Sequence, residues 1–261
     1  MKKVRALAFV LSCLFIWWNF LSWLSSVVPV FKKNKEYQFR NFVEITPLPD
    51  CIIVFNSGGW GYTSLEKETD FQTIVLGIQE HLDDLGYKSA VIPYQRAKET
   101  ILGKLSGARE IINYFSSQSR HLARQINEFL EENPDKKVIL TGLSMGAFFV
   151  DETLKHIENR SSVLAIKVGV PFYSNHFHSD KTIDINNERD ALVYCNTRLL
   201  AGAFFRGLGK WIVSRLKGDH TPLGRFVVVP GHNNSYRWDS PEIRRQITGF
   251  LKKQFPKNEI S

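Results

Sequence analysis

The apolar run Lys137 to Thr141 passes without a spacer into Gly142-Leu143-Ser144-Met145-Gly146, and a helical pattern starts at Ala147. A chain that goes from strand to helix in so few residues must turn sharply, and few arrangements allow it. The residues two positions either side of Ser144 must carry almost no side chain, or strand and helix collide. The pattern predicts a layered α/β domain with a serine exposed at the carboxyl end of a strand. The backbone N–H groups of the following helix start would then face whatever binds there. A glycine-rich surface turn with an incidental serine is the competing reading, and it leaves the two flanking elements unexplained.

The rest of the chain repeats that alternation. Short apolar runs at Cys51 to Phe55, Ser89 to Pro93, Val163 to Val170, Thr182 to Asn186 and Arg225 to Val229 read as strands. Helical spacing is found over 70–85, 108–132, Ala147 to Ile157, about 196–217 and Pro241 to Lys253. Strands separated by helical segments imply crossover connections, hence a mostly parallel sheet covered by helices on both faces. Only about ten residues part the strands at Val170 and Thr182, so a cap domain has no room there. No internal repeat is visible. The expected organisation is an anchor over 1–35, a linker over 36–50 marked by Pro47 and Pro49, and one domain over 51–261.

The anchor reading comes from Ala6 to Phe31, 26 residues without a charge. As a helix this run covers about 39 Å, enough to cross the roughly 30 Å hydrocarbon layer with tilt. A cleaved signal peptide shares the basic start and the apolar run. The length of the run and the lack of a good small-x-small site, Leu24-Ser25-Ser26 being the nearest, favour one uncleaved transmembrane helix. Three bases precede the run and three follow it, so the positive-inside bias nearly cancels. The simplest insertion leaves the short tail in the cytoplasm and the domain outside it. The net charge of +8 gathers in this region: residues 1 to 35 hold six bases and no acid, leaving 28 bases against 26 acids. A nucleic-acid partner is therefore not expected. Cys13, Cys51 and Cys195 form neither a disulfide scaffold nor a pair with metal-site spacing, and neither metal nor organic cofactor is expected.

The residues from about Cys51 to Phe255 resemble an α/β-hydrolase, on the strength of the Gly142 to Gly146 motif in its strand-turn-helix setting. In that family the order along the chain is serine, acid, histidine. The resemblance implies Ser144 as nucleophile, Asp190 as the acid in Asn187-Glu188-Arg189-Asp190, and His232 as the base in Pro230-Gly231-His232. Glu188 and Asp184 are weaker acid candidates, the first two residues short and the second within a strand. His220 precedes the last expected strand and is the only rival base. The resemblance also implies an oxyanion site from the Met145 N–H and a second amide in Ser57-Gly58-Gly59-Trp60-Gly61. Ser57 stands where the family commonly has histidine, which leaves Gly59 or Trp60 as the donor.

The expected activity is that of a membrane-anchored serine hydrolase of lipase, esterase or thioesterase type, acting on an ester, thioester or lipid-like acyl substrate through an acyl-enzyme. The alternative is a non-catalytic member of the fold serving as a tethered binding module. Residues 196–217 hold five bases and no acid. A helix there is expected to lay Leu200, Phe204, Leu208 and Trp211 on the sheet with a solvated basic face. The sharper reading is a helix resting on an anionic membrane.

Overall fold

The computed structural model describes residues 47–97, 110–111, 113–174, 176–219, 221, 226–232 and 235–256. Five strands form one parallel sheet: β1 (Cys51–Asn56), β2 (Ser89–Pro93), β3 (Lys137–Leu143), β4 (Val163–Val168) and β5 (Thr182–Ile185), in the order β2-β1-β3-β4-β5. The register sets Phe55 opposite both Pro93 and Thr141, Val168 opposite Leu143, and Ile185 opposite Val168. Because every strand runs the same way, the loops after β1, β3, β4 and β5 collect at one end, where a parallel sheet binds its ligands.

The helices are α1 (Thr69–Asp84), α2 (Ser116–Glu132), α3 (Met145–Leu154), α4 (Thr197–Leu216) and α5 (Pro241–Gln254). Alternation along β4 shows how they are used. Val163 and Ala165 face a core shared with Leu122, Ile126 and Phe129 of α2 and Phe149 of α3. Leu164, Ile166 and Val168 face a second core with Phe71, Ile74 and Ile78 of α1 and Ile247 and Leu251 of α5. Helices on both faces bury β1 and β4 completely and all but the ends of β3, and each large apolar side chain so buried stabilises by about 1.5–3 kcal/mol. The segment between β4 and β5 carries no helix or strand among its described residues.

Three expectations are corrected. The last strand, Arg225 to Val229, is not formed among its described residues 226–229. That run lies instead against α4, where a Cβ added to Gly207 would stand 2.7 Å from Val227 Cγ2, and Val228 is exposed. The helix expected over 108–132 is interrupted by Tyr114 and Phe115, both at φ 53°. The break turns Phe115 into the core, edge-on to Phe148 and Phe149. Finally, α4 does not lay an apolar face on the sheet. Only Ala203 and Gly207 are buried along it, while Phe204, Phe205, Ile212 and Leu216 are exposed. Its start is capped by the Asn196 side chain, which accepts from the Leu199 N–H at 3.2 Å.

Among the described residues no helix is long and apolar enough to cross a membrane, and the expected span over 6–31 lies outside them. Cys51 is buried, Cys195 is exposed, and both are free.

Candidate active site

Ser144 sits between the end of β3 and the start of α3 with φ 52° and ψ −114°, a backbone conformation that costs a non-glycine residue about 1–3 kcal/mol. Its N–H donates to Val168 O at 2.8 Å and its carbonyl accepts from Phe148 N–H at 3.0 Å, so the turn is held from both sides. The flanking glycines are required sterically. A Cβ on Gly142 would lie 2.6 Å from Ala147 N, and one on Gly146 would run into the Asn56 carbonyl oxygen and stand 2.7 Å from that of Ser57. Both obstacles are backbone and cannot rotate away. Gly146→Ala is expected to destabilise by about 3 kcal/mol, whereas Gly249→Ala should stabilise by about 0.5–1 kcal/mol. Gly249 lies on the exposed side of α5 with nothing within 4 Å. Urea midpoints of the two variants check the contrast.

Asp190 and His232 are brought into contact. His232 Nδ1 lies 2.6 Å from Asp190 Oδ2, and Asp190 is almost wholly buried. Among the described residues no strand leads into His232. Its loop is instead pinned to the acid loop: Ala191 N–H donates to Pro230 O at 3.0 Å, and Gly231, at φ +73°, packs so closely that a Cβ would stand 2.7 Å from Asp190 N. The imidazole also touches the end of β4, since a Cβ on Gly169 would meet His232 Cε1 at 3.0 Å. Gly169 follows Val168, whose carbonyl holds the Ser144 N–H, so the histidine and the serine share one end of the sheet. Glu188 is on the acid loop, Asp184 is turned into a different network described below, and His220 lies outside the described residues.

Asp190 is saturated with donors. Oδ1 accepts from the N–H groups of Leu192 at 2.8 Å and Val193 at 3.3 Å, while Oδ2 accepts from Tyr236 OH at 2.6 Å as well as from His232. Burial alone would raise the carboxyl. The hydrogen bonds from His232 and Tyr236, the charge of His232 and the Leu192 N–H outweigh it and hold the group below the usual carboxylate range. Burial, followed by the bond to Asp190, pushes the Tyr236 phenol well up, so it remains a donor. Tyr236 was not foreseen from sequence, and its only local signal is that it follows His232 by four residues.

Arg96 was also missed. Its guanidinium is buried beneath the loop after β1, where Nη2 donates to Ser57 O and lies 3.5 and 3.4 Å from Gly58 O and Gly59 O; Nη1 donates to Met145 O at 3.1 Å. The side chain stacks over Phe115 and Phe149. Burial lowers the guanidinium to about 9, which leaves it charged at neutral pH. Because a trans peptide points its N–H opposite its C=O, carbonyls gathered on Arg96 turn the Gly59 and Trp60 N–H groups away from it. Glu68 accepts the Gly58 N–H, and its carboxyl is raised by burial against that bond, Thr63 and Arg96. Arg96 thus joins the two segments, the elbow and the loop after β1, from which oxyanion donors are expected. The rim above them is apolar: Trp60, Phe172 and Tyr173 are each about 40% exposed, and the Tyr173 hydroxyl donates to Met145 Sδ at 2.8 Å.

No protein-family model and no curated protein matches the sequence. Among solved structures the chain is similar to a Trichoderma reesei cutinase in complex with a C11Y4 phosphonate inhibitor. The TM-score is 0.47 and the identity 15%, over 91% of this chain and 97% of that one.

Proposed function

We propose that the chain is a membrane-anchored serine hydrolase that cleaves an ester or thioester through an acyl-enzyme intermediate. The observation that supports this most is the strained, glycine-flanked Ser144 at the same sheet end as a buried, hydrogen-bonded Asp190–His232 pair. In this reading Ser144 Oγ attacks the substrate carbonyl carbon while His232 Nε2 takes the hydroxyl proton. Asp190, ionised and fixed by Tyr236 and the Leu192 N–H, holds Nδ1–H and stabilises the imidazolium. The negative oxygen of the tetrahedral intermediate is met by the Met145 N–H at the α3 start and by the Gly59 or Trp60 N–H. His232 then returns the proton to the leaving alkoxide or thiolate. Water, deprotonated by the same imidazole, adds to the acyl-enzyme and releases the acid.

The exposed aromatic rim, with no helix among the described residues between β4 and β5, favours an acyl or lipid-like substrate entering from an open cleft. The uncharged run over 6–31 would hold the domain at the membrane, with the domain on the extracytoplasmic side. One experiment addresses both. Membranes from cells making the full chain are washed with high salt and then alkali and treated with a tagged fluorophosphonate. A labelled, full-length chain in the washed pellet is expected. Absence of label would defeat the hydrolase reading, and a mature chain beginning near residue 27 would defeat the anchor.

A further inference from the structure

We infer that His176, His178 and Asp184 form a binding site for a late first-row divalent cation such as Zn2+, separate from the proposed serine site. The three offer donor atoms that all lie within 4.8 Å of one another. His176 Nδ1 and His178 Nδ1 converge on the same carboxylate oxygen, Asp184 Oδ2, at 3.4 and 3.9 Å. These separations are at or beyond the long end of hydrogen bonding. Bonds of about 2.0–2.1 Å at tetrahedral angles place neighbouring donors about 3.3 Å apart, so the His176 separation is already close to what a tetrahedral ion requires and His178 must close by about 0.6 Å. The two imidazoles stack with an interplanar angle of 11° and centroids 5.9 Å apart, so both rings flank the same carboxylate.

The carboxylate is prearranged by its other oxygen. Lys167, fully buried in mid-strand on β4, places Nζ 2.8 Å from Asp184 Oδ1 and 2.6 Å from Asp151 Oδ1 and donates to Phe177 O at 3.0 Å. Asp151 also accepts from the Ser174 hydroxyl and, at 3.1 Å, from the Phe177 N–H. One lysine between two carboxylates leaves one negative charge in excess, and Asp184 Oδ2 faces the histidines from that anchored position. Two imidazoles and one carboxylate suit Zn2+, with water as the fourth ligand, and suit Mg2+ or Ca2+ poorly. Such an ion would tie the helix-free β4–β5 connection to the edge strand β5.

The test uses the full chain purified in detergent without a polyhistidine tag, titrated with Zn2+ alone, with Mg2+ and Ca2+ for comparison. One equivalent of Zn2+ is expected, with a rise in the unfolding midpoint of about 5 °C at a hundredfold excess over the dissociation constant. Co2+ in place of Zn2+ should give the visible absorption of a tetrahedral site. The side chain of His178 is 73% exposed and packs little, so His178→Ala should fold normally while losing at least about tenfold in Zn2+ affinity. The same loss is expected of His176→Ala. No Zn2+ binding by the parent chain, or equal binding by the His178 variant, would overturn the site. A fluorophosphonate label on the metal-free chain reads the serine site independently.

Discussion

Replacing Ser144 with alanine is expected to lower kcat for a small ester by about a millionfold, leaving only what the oxyanion site and substrate binding supply. The fold should survive, because the side chain of Ser144 packs no core and its backbone bonds to Val168 and Phe148 are untouched. A second variant separates chemistry from strain. Ser144→Gly should be equally inactive but more stable than the parent by about 1–2 kcal/mol, since glycine accepts φ 52° without a Cβ penalty. Rates and urea midpoints of the two variants together check the account. Full activity in either, or equal stability of the glycine and alanine forms, would count against a strained nucleophile.

The second large effect concerns the pair proposed to serve the serine. His232→Ala should cost about as much as Ser144→Ala, and Asp190→Asn about ten-thousandfold, because the amide would favour the wrong tautomer. The losses should not add, since a base without its orienting acid and an acid without its base are defects of one unit. Measuring kcat for the two single variants and the double variant gives the coupling. Asp190 also links to stability. Its carboxyl is held below its ordinary value, so the folded chain gains full benefit above about pH 4, the unfolded carboxylate range. That benefit is lost as pH falls through the lower folded value. Asp190→Asn should therefore flatten the acid limb of the stability curve, and an unchanged acid limb would contradict the assignment.

The parts of this molecule legible in the sequence are those dictated over a few residues. Gly142 and Gly146 announce the elbow because the collision they avoid is between immediate neighbours in the chain. The five strands of the sheet are short, mostly apolar runs, β1, β3 and β4 buried between helices and the edge strands β2 and β5 half-buried, and each was readable as a strand. Asp190 and His232 were expected only from the resemblance to the α/β-hydrolase order, and the structure brings them to 2.6 Å even though the strand expected before His232 is not formed among its described residues. Contacts between Gly231 and the acid loop do the work that strand pairing was expected to do.

What could not be read depends on residues far apart in sequence. Arg96 meets Met145 across 49 positions, and Tyr236 meets Asp190 across 46. Nothing local distinguishes either from an ordinary surface residue. Lys167 interrupts an otherwise apolar strand, which is a visible anomaly, but its partners Asp151 and Asp184 lie on other elements. The helix expected through 108–132 failed at Phe115, because a core position beside Phe148 and Phe149 outweighed local helical spacing. In α4 the apolar periodicity was real but predicted burial that the tertiary structure does not supply.

The central claim is that Ser144 is a nucleophile activated within this site. The most direct measurement is to react the full chain with a fluorophosphonate, digest it and locate the phosphonylated residue by mass spectrometry. A single adduct on the peptide containing Ser144, lost on prior denaturation and absent from His232→Ala, is the predicted result. An adduct on a different serine, or none under conditions that label a known serine esterase, would contradict it.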